Sequence, residues 1–365
     1  MNYYKSIRKH SKIPIIFYLI TLCFNLSACT DNQSTNEASF DTHIIFSSRR
    51  WWNYDIFISN VYANETVQLT KNKFIDFNPA LSYDLRTLAF ISDRDGNREI
   101  YLTELEWLDG YTNWRAKNLR NITNSTENEW TPVFSPVDNK IVFSTYFPSN
   151  DNYDIFIMNV DGTEKENLTK TSSYEKFPQF SPDGSFIIYQ GWQKGKMDIF
   201  FTNLLDKNSI NITRSIISND IISHGNCISP DGQSIVFTSD RDGNKDIYFM
   251  TINGLEIEKL TLDKADDYEP TISPDGEYII FTSERDGSKQ LYLINISNRN
   301  LRRLTKGQGD NWNARIHPNG KKIIFQSTRD KNWEIYTMNI NGSNEVNISN
   351  NPATDYSYII LPNTR

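Results

Sequence analysis

SPDGQSIVFTSDRDGNKDIY, at residues 229–248, is followed 44 positions later by SPDGEYIIFTSERDGSKQLY, at residues 273–292. Both copies contain a Ser-Pro-Asp-Gly turn, an apolar stretch ending in Phe, an Arg-Asp-Gly turn and a further apolar stretch ending in Tyr. Self-similarity at a fixed period of this length indicates a repeat architecture, in which each unit packs against its neighbours.

Three sequence anchors recur along the chain. The first is an apolar run ending in an aromatic residue, at Phe46, Phe90, Phe143, Tyr189, Phe237, Phe281 and Phe325. The second is an acid–aliphatic–aromatic triplet, beginning at Asp55, Glu99, Asp154, Asp198, Asp246 and Glu334, with Gln290 as the variant. The third is a short apolar–Thr pair, ending at Thr70, Thr123, Thr169, Thr213, Thr261, Thr305 and Ser349. The anchors predict seven units.

Each unit predicts four short β-strands. The apolar runs are short, rich in Ile, Val, Phe, Tyr and Thr, alternate with period two, and are separated by Gly, Asn and Asp turns. In the SPDG turns, Pro presets φ at the second position, and Asp and Gly accept the bends that follow. Four-stranded sheets repeated radially form a β-propeller, which leaves only short edges. The predicted fold class is therefore all-β, a seven-bladed β-propeller of four-stranded antiparallel blades.

The first and last units predict how the ring closes. The unit at residues 43–70 lacks a first strand, whereas residues 355–362 repeat the opening of the unit at 267–274. We therefore expect the C-terminal strand to pair into blade one.

The SPDG and Arg-Asp-Gly motifs of residues 229–248 and 273–292 resemble the propeller repeats of the TolB family. Related blades occur in prolyl-oligopeptidase-like and tricorn-like peptidases. The resemblance covers residues 40–365 and implies a propeller platform in the bacterial envelope that binds a protein or peptide. Family members with the full envelope role carry an additional N-terminal α/β domain, for which the short segment between Cys29 and the first predicted strand leaves no room.

Residues 1–28 are predicted to be a lipoprotein signal peptide. A basic segment ending at Lys12 precedes an apolar core at 15–24, which is too short for a comfortable membrane span. Leu-Ser-Ala-Cys at 26–29 resembles the bacterial lipobox, in which Cys29 becomes lipidated and anchors the protein through acyl chains. The alternative is an ordinary signal peptide with small residues before the cut.

The next residues, 29–41, are polar and predict a flexible tether, followed by the propeller at 42–365. By resemblance to lipoprotein sorting, Thr30 rather than Asp after Cys29 implies an outer-membrane anchor with the propeller facing the periplasm. The formal net charge of −7 and the lack of a clustered Lys/Arg segment exclude nucleic acid as the expected partner.

Blade topology places the Arg-Asp-Gly turns and the crossovers between blades on one face, opposite the SPDG turns. That face collects six tryptophans: Trp51, Trp52, Trp192 and Trp333 in hairpin turns, and Trp130 and Trp312 at the start of inner strands. The equivalent positions in the other blades hold Phe77, Lys176, His224, Tyr268 and Tyr356. Because inner strands line the central channel, we expect these residues to ring its mouth and contact a peptide or glycan. The alternative is that several pack between blades.

Directly before those residues stand the acids Asp76, Glu129, Glu175, Asp267 and Asp355. One interpretation is an acidic ring that attracts a cation or basic peptide, with calcium as a candidate ligand. The other is that each acid pairs with a nearby arginine, from the set Arg49, Arg94, Arg241, Arg285 and Arg329. The second is favoured because both residue types recur with the repeat.

The sequence gives little support for catalysis. His43, His224 and His317 fall at different depths of the repeat, which does not suit a metal site, and the chain has no Gly-x-Ser-x-Gly elbow. Glycosidase chemistry by two carboxylates stays open. We therefore expect no cofactor and a non-catalytic envelope lipoprotein that binds protein or peptide. The alternative is a surface lipoprotein that binds or cleaves glycans through the Trp-rich face.

Overall fold

The computed structural model describes residues 43–50, 52–60, 66–107, 114–193, 195–213, 226–254, 256–307 and 309–360. The predicted signal peptide and tether, with Cys29, lie outside these residues and stay predictions. In the part of the chain that the structure describes, no helix has the length and hydropathy needed to cross a membrane.

The described residues form 28 strands in seven four-stranded antiparallel sheets, so the predicted fold class is confirmed. Blades 1 and 2 contain β1 (His43–Ser48), β2 (Asp55–Asn60), β3 (Thr66–Gln68), β4 (Asp76–Leu81), β5 (Thr87–Ser92), β6 (Glu99–Trp107) and β7 (Trp114–Asn121). Blades 3 and 4 contain β8 (Asn128–Phe134), β9 (Lys140–Phe147), β10 (Asn152–Asn159), β11 (Glu166–Asn167), β12 (Glu175–Phe180), β13 (Phe186–Gln193), β14 (Lys196–Asn203) and β15 (Ser209–Asn211).

The remaining blades follow the same order. Blades 5 and 6 contain β16 (Asn226–Ile228), β17 (Ser234–Ser239), β18 (Asp246–Thr251), β19 (Ile257–Lys259), β20 (Asp267–Ile272), β21 (Tyr278–Ser283), β22 (Gln290–Asn295) and β23 (Leu301–Arg303). Blade 7 contains β24 (Asn311–Ile316), β25 (Lys322–Ser327), β26 (Glu334–Asn339) and β27 (Val346–Asn347), and β28 (Asp355–Ile360) completes blade 1.

Strand β28 closes the ring. It pairs antiparallel with β1, from Ile44 opposite Ile360 to Ser48 opposite Asp355, and becomes the inner strand of blade 1. The buried hydroxyl of Tyr358 donates to the backbone carbonyl of Ile324 in blade 7 at 2.8 Å. The C-terminal strand therefore joins the first and last blades, as the sequence predicts.

The blades hold together through seven hydrophobic clusters, one at each junction. The aromatic residue of the first anchor lies in the second strand of each blade and is almost entirely buried. Burying such a side chain contributes on the order of 2 kcal/mol. The anchor recurs because every junction needs the same large apolar group.

Each of the six inner strands that the structure describes from its first residue contains a β-bulge. The residue with positive φ is the third of the strand in five of them, at Asn78, Phe177, Glu269, Asn313 and Ser357, and the fourth in β8, at Thr131. The strand register shifts there, opposite the buried aromatic anchor. Proline follows the bulge at Pro79, Pro132, Pro178 and Pro270. Since proline has no N–H to donate, it interrupts the ladder at this point.

Strand register also fixes the faces of the ring. Asp76, which starts the inner strand of blade 2, lies opposite Ser92, which ends β5, and Ser92 lies opposite Glu99, which starts β6. The start of each inner strand, the hairpin between the second and third strands, and the incoming crossover therefore share one face, which we call the mouth face. The SPDG turns lie on the opposite face.

Candidate functional site

A cavity of about 810 Å³ lies in the central channel, against the inner strands of blades 1, 2, 3, 4 and 7. Its lining includes the bulge residues Asn78, Thr131, Phe177, Asn313 and Ser357. It also includes Trp130 and Lys176, which follow the first acid of their inner strands. We define the channel mouth as the residues at this position, Phe77, Trp130, Lys176, Tyr268, Trp312 and Tyr356. The volume is in the usual range for ligand sites.

Aromatic rings meet in pairs around the channel mouth. The ring centroids lie 5.7 Å apart for Phe77 and Trp130, 5.0 Å for Trp312 and Trp333, and 6.0 Å for Tyr54 and Tyr356. These separations are those of favourable edge-to-face or offset contacts, which hold the rings in fixed orientations.

Cations stack on these rings. The guanidinium carbon of Arg98 lies 3.9 Å from the ring centroid of Trp130, and Lys289 Nζ lies 4.9 Å from that of Trp312. Both cations come from the hairpin between the second and third strands of the preceding blade. Burial lowers the pKa of Arg98. Each contact fixes a positive charge beside the channel mouth.

A tyrosine cluster surrounds Lys176 in blades 3 and 4. Lys176 Nζ lies 3.7 Å from the ring centroid of Tyr153, whose ring is 4.7 Å from that of Tyr146 and 5.8 Å from that of Tyr174. The Tyr146 hydroxyl donates to Asp151 at 3.0 Å. Burial lowers the pKa of Lys176, and Asp151 partly offsets this. The cluster gives this sector of the mouth face several aromatic surfaces around one cation.

The five predicted acids lie beneath the channel mouth with at most 4 % of their surface exposed. Asp76 pairs with Arg94 at 3.0 Å, and Asp267 with Arg285 at 2.8 Å. The interpretation as an acidic ring facing solvent is therefore wrong, because these carboxyl groups are enclosed by protein. The contacts of Asp76 and Asp267 agree with the other interpretation, in which each acid pairs with a nearby arginine.

In blades 3 and 4 the position that holds Arg94 in blade 2 is occupied by Phe147 and Gln193, so neither blade has an arginine there. Glu129 instead contacts Lys165 Nζ at 3.4 Å, and Glu175 accepts a hydrogen bond from Thr171. Burial raises the pKa of both glutamates to about 7, and hydrogen bonds from Ser125 and Thr171 oppose the rise.

Blade 1 differs from its predicted contacts by one residue. Arg50, not Arg49, occupies the repeated position, and its Nε donates to Ser48 Oγ at 3.2 Å. Burial raises the pKa of Asp355 to about 7, although the nearby hydroxyls of Ser48 and Ser349 and the charge of Arg50 oppose the rise. Arg50 follows Ser48 by two residues, as Arg94 follows Ser92, which is the spacing that identifies it.

The other predicted site residues have different environments. Trp52 is 94 % exposed on the mouth face, and Trp192 is half-buried at the end of β13. Tyr268 is buried and donates to Glu284 at 2.9 Å, so it offers less open surface than predicted. Trp51 and His224 lie outside the described residues.

The described residues bring together no group of three or more His, Cys, Asp or Glu side chains that could hold a metal ion. His43 and His317 are both buried, in blades 1 and 7. Burial raises the pKa of the Cys227 thiol, which disfavours the nucleophilic thiolate. The site is therefore built from aromatic rings and cations.

The cations Arg98 and Lys289 were missed at the sequence level. Both directly precede the second anchor, at Glu99 and Gln290. The same position holds Tyr54, Tyr153, Lys245 and Trp333 in other blades. The sequence did contain one signal for these residues: the position directly before the recurring triplet changes its chemical character from blade to blade.

The family model of the TolB beta propeller domain matches residues 211–365, which include blades 5 to 7 and the closing strand. Over these residues the chain is similar to the TolB beta propeller domain. It is 28% identical over 150 residues to the Protein TolB homolog of Chlorobium chlorochromatii (strain CaD3), covering 41% of this chain and 31% of the relative. The chain thus spans about a third of the length of the first curated relatives that it matches.

Solved structures show the same fold. TolB from Acinetobacter baumannii is 18% identical with a TM-score of 0.57, covering 88% of this chain and 67% of the other. Oligogalacturonate lyase from Vibrio parahaemolyticus is 15% identical with a TM-score of 0.63, covering 81% and 86% of the two chains. At these identities, the likeness concerns the fold alone.

Proposed function

We propose that this TolB-like protein is a non-catalytic scaffold of the bacterial envelope that binds a protein or peptide at the channel mouth. The observation that carries the proposal is the set of aromatic side chains at the channel mouth, of which Trp130 lines the 810 Å³ cavity. Aromatic residues supply large contact area at low entropy cost and dominate binding at protein interfaces.

The rigidity of the channel mouth supports binding. Its residues lie on inner strands whose register is fixed by a bulge, and the bulge residues also join neighbouring blades. Ser357 Oγ donates to Asn78 Oδ1 at 2.9 Å, and the Asn313 N–H donates to Glu269 Oε2 at 3.0 Å. A preformed surface binds with less loss of conformational entropy than a flexible one.

The cavity wall favours a partner with an apolar side chain. Pro132, Val133, Phe177 and Ile359 contribute to the lining, next to the polar bulge residues. Burying an apolar side chain of a partner there removes about 25 cal/mol of unfavourable hydration free energy per Å². A peptide segment supplies such a side chain together with backbone groups that can bond to Asn78 and Asn313.

The alternative function is glycan binding or cleavage on the mouth face. The rings of Tyr146, Tyr153 and Tyr174 are the observation that favours it, because sugars stack on aromatic faces. Cleavage by two carboxylates would need acids that reach the substrate, and the five acids beneath the channel mouth are buried. Of the proposed functions, glycan binding therefore ranks second after protein or peptide binding, and glycan cleavage ranks third.

The proposed location is the outer membrane, with the propeller held in the periplasm by a lipid on Cys29. The lipobox-like residues 26–29 and the polar residues that follow support this proposal. Cys29→Ser should release the protein from the membrane fraction into the soluble periplasmic fraction. If the variant stays with the membrane while the wild type carries no lipid, the anchor is not Cys29.

The binding proposal is tested by Trp130→Ala combined with Trp312→Ala in a pull-down from cross-linked envelopes. The matched control is Leu205→Ala, because Leu205 is 93 % exposed on the opposite face. We expect the double variant to lose its captured protein while the control keeps it. Equal capture by the folded double variant and the control would contradict the proposal.

A further inference from the structure

Three half-buried cations lie around the channel mouth, and none of them forms a salt bridge with a described carboxylate. Arg98 stacks on Trp130, Lys176 on Tyr153 and Lys289 on Trp312. Among the described residues, no carboxylate oxygen lies within 4.0 Å of any of these three. By contrast, Arg94 and Arg285, one layer below, each hold a buried aspartate. The repeat thus provides paired cations in the core and unpaired cations at the surface.

We propose that the channel mouth selects an acidic peptide segment, whose carboxylates bind Arg98, Lys176 and Lys289 while an apolar side chain enters the cavity. The inference rests on the proposed function and adds the charge of the partner. It reverses the expectation of a basic partner, because that expectation needed the buried acids to face the channel.

Partial burial makes these cations strong candidates for binding an anion. Each has lost part of its hydration to an aromatic face, and the ring compensates only part of that loss. A carboxylate placed against such a cation forms a charge-assisted hydrogen bond in a region of low dielectric. Electrostatic complementarity of this kind raises association rates and selects partners by the sign of their charge.

Asp93, Asp151 and Glu269 act on Arg98, Lys176 and Lys289 through their charge without forming salt bridges, and aspartates near the mouth use an oxygen to bond the backbone. Asp93 Oδ1 accepts from the backbone N–H of Ile75 at 2.8 Å, and Asp310 Oδ1 accepts from that of Lys289 at 3.1 Å. Asp266 Oδ1 accepts from the backbone N–H of Lys245 at 3.0 Å. These aspartates hold the hairpins and crossovers in place, and they leave the side-chain cations for a ligand.

The three cations belong to three different blades, and Lys176 is the one of the three that lines the cavity. Arg98 belongs to blade 2, Lys176 to blade 4 and Lys289 to blade 6, and Lys176 itself lines the cavity with Trp130. A segment crossing the mouth can therefore meet more than one cation. If the bound segment has one apolar residue between its acidic residues, the side chain of that apolar residue would lie in the channel.

The test uses three synthetic peptides on the whole propeller: a tryptophan flanked on both sides by glutamates, by glutamines or by lysines. Binding is measured by fluorescence anisotropy at low and at moderate salt. We expect the glutamate peptide to bind at least about tenfold more tightly than the glutamine peptide, and salt to reduce the difference. The lysine peptide should bind most weakly.

Charge-removing variants locate the effect. Lys176→Gln and Lys289→Gln should each weaken binding of the glutamate peptide about tenfold and weaken binding of the glutamine peptide by a clearly smaller factor. Lys321→Gln is the matched control, since Lys321 is exposed on the opposite face. Equal affinity for the glutamate and glutamine peptides, or an equal effect of the control variant, would overturn the proposal.

An acidic glycan is the competing anionic ligand. Oligogalacturonate is therefore tested as a competitor, and binding of oligogalacturonate without binding of the glutamate peptide would also overturn the proposal. The outcome is separate from that of the envelope pull-down. Loss of capture in the tryptophan double variant, with no preference for glutamate, would support the binding scaffold and reject the acidic partner.

Discussion

Asn311 donates a hydrogen bond from Nδ2 to Oε1 of Gln290 at 3.2 Å, across the junction between blades 6 and 7. At four other junctions the same two positions hold interacting acids: Asp55 and Asp76, Glu99 and Glu129, Asp154 and Glu175, and Glu334 and Asp355. Gln290 and Asn311, which both depart from the acidic pattern, therefore meet at one junction. Two amides satisfy each other without charge, whereas two buried carboxylates repel and favour retention of a proton.

The first prediction concerns the pH dependence of stability at these acid pairs. Burial, with Asp154 opposite, raises the pKa of Glu175 to about 7 from its ordinary value near 4.5. Because the folded-state pKa is raised, the protonated carboxyl stabilises the fold below about pH 4.5, and this contribution is lost as the pH rises through 7. Glu175→Gln should therefore be more stable than the wild type at pH 8, by about 1–3 kcal/mol.

Thermal unfolding from pH 5 to pH 8 checks this prediction. The Tm of Glu175→Gln should fall less with rising pH than that of the wild type. Glu277→Gln provides the control, since Glu277 is exposed on an SPDG turn, and its profile should match the wild type. Parallel profiles for all three proteins would show that Glu175 does not titrate with folding.

The second prediction concerns the buried pair of Arg285 and Asp267. Arg285→Met leaves the Asp267 carboxylate buried without its cation, which typically costs about 3–5 kcal/mol. Arg299→Met removes an exposed pair with Glu258 and should cost less than about 1 kcal/mol. Urea unfolding measures both. Similar losses for the two variants would mean that the buried pair is not needed for stability.

The third prediction concerns ring closure by β28. Tyr358→Phe removes the hydroxyl that donates to the backbone carbonyls of Ile324 and Asn313, and should cost about 1–3 kcal/mol. Tyr356→Phe, at a half-buried position of the same strand, should change stability little. Ending the chain at Asn350 should remove the inner strand of blade 1 and lower the Tm far more. A truncated chain that melts like the full chain would contradict closure by β28.

The architecture was predictable because the same packing problem recurs seven times. Each junction needs one large buried ring, so Phe46, Phe90 and their equivalents mark the blades. The closing strand was predictable for the same reason, since residues 355–362 repeat residues 267–274. The inner-strand bulges were not predicted, because positive φ at Thr131 or Phe177 follows from tertiary packing and not from local preference.

The candidate site was predictable in position but not in charge. The sequence correctly placed acids at the starts of inner strands, but exposure depends on how deeply the blades pack around them. Asp76 and Glu129 are buried, and the charges at the surface are those of Arg98 and Lys289. Each of those cations lies directly before the second anchor, where the residue type varies between blades. The repeat pattern alone therefore did not indicate them as site residues.

The central claim, that the channel mouth binds a protein partner in the envelope, is tested most directly by site-specific photo-cross-linking in living cells. A photoreactive residue replaces Ile75, which is 38 % exposed beside the mouth, or Val137, which is 63 % exposed on the opposite face. We predict a discrete cross-linked protein from position 75, lost in the Trp130→Ala and Trp312→Ala background, and none from position 137. A product from position 137 alone, or the same product in the double variant, would contradict the account.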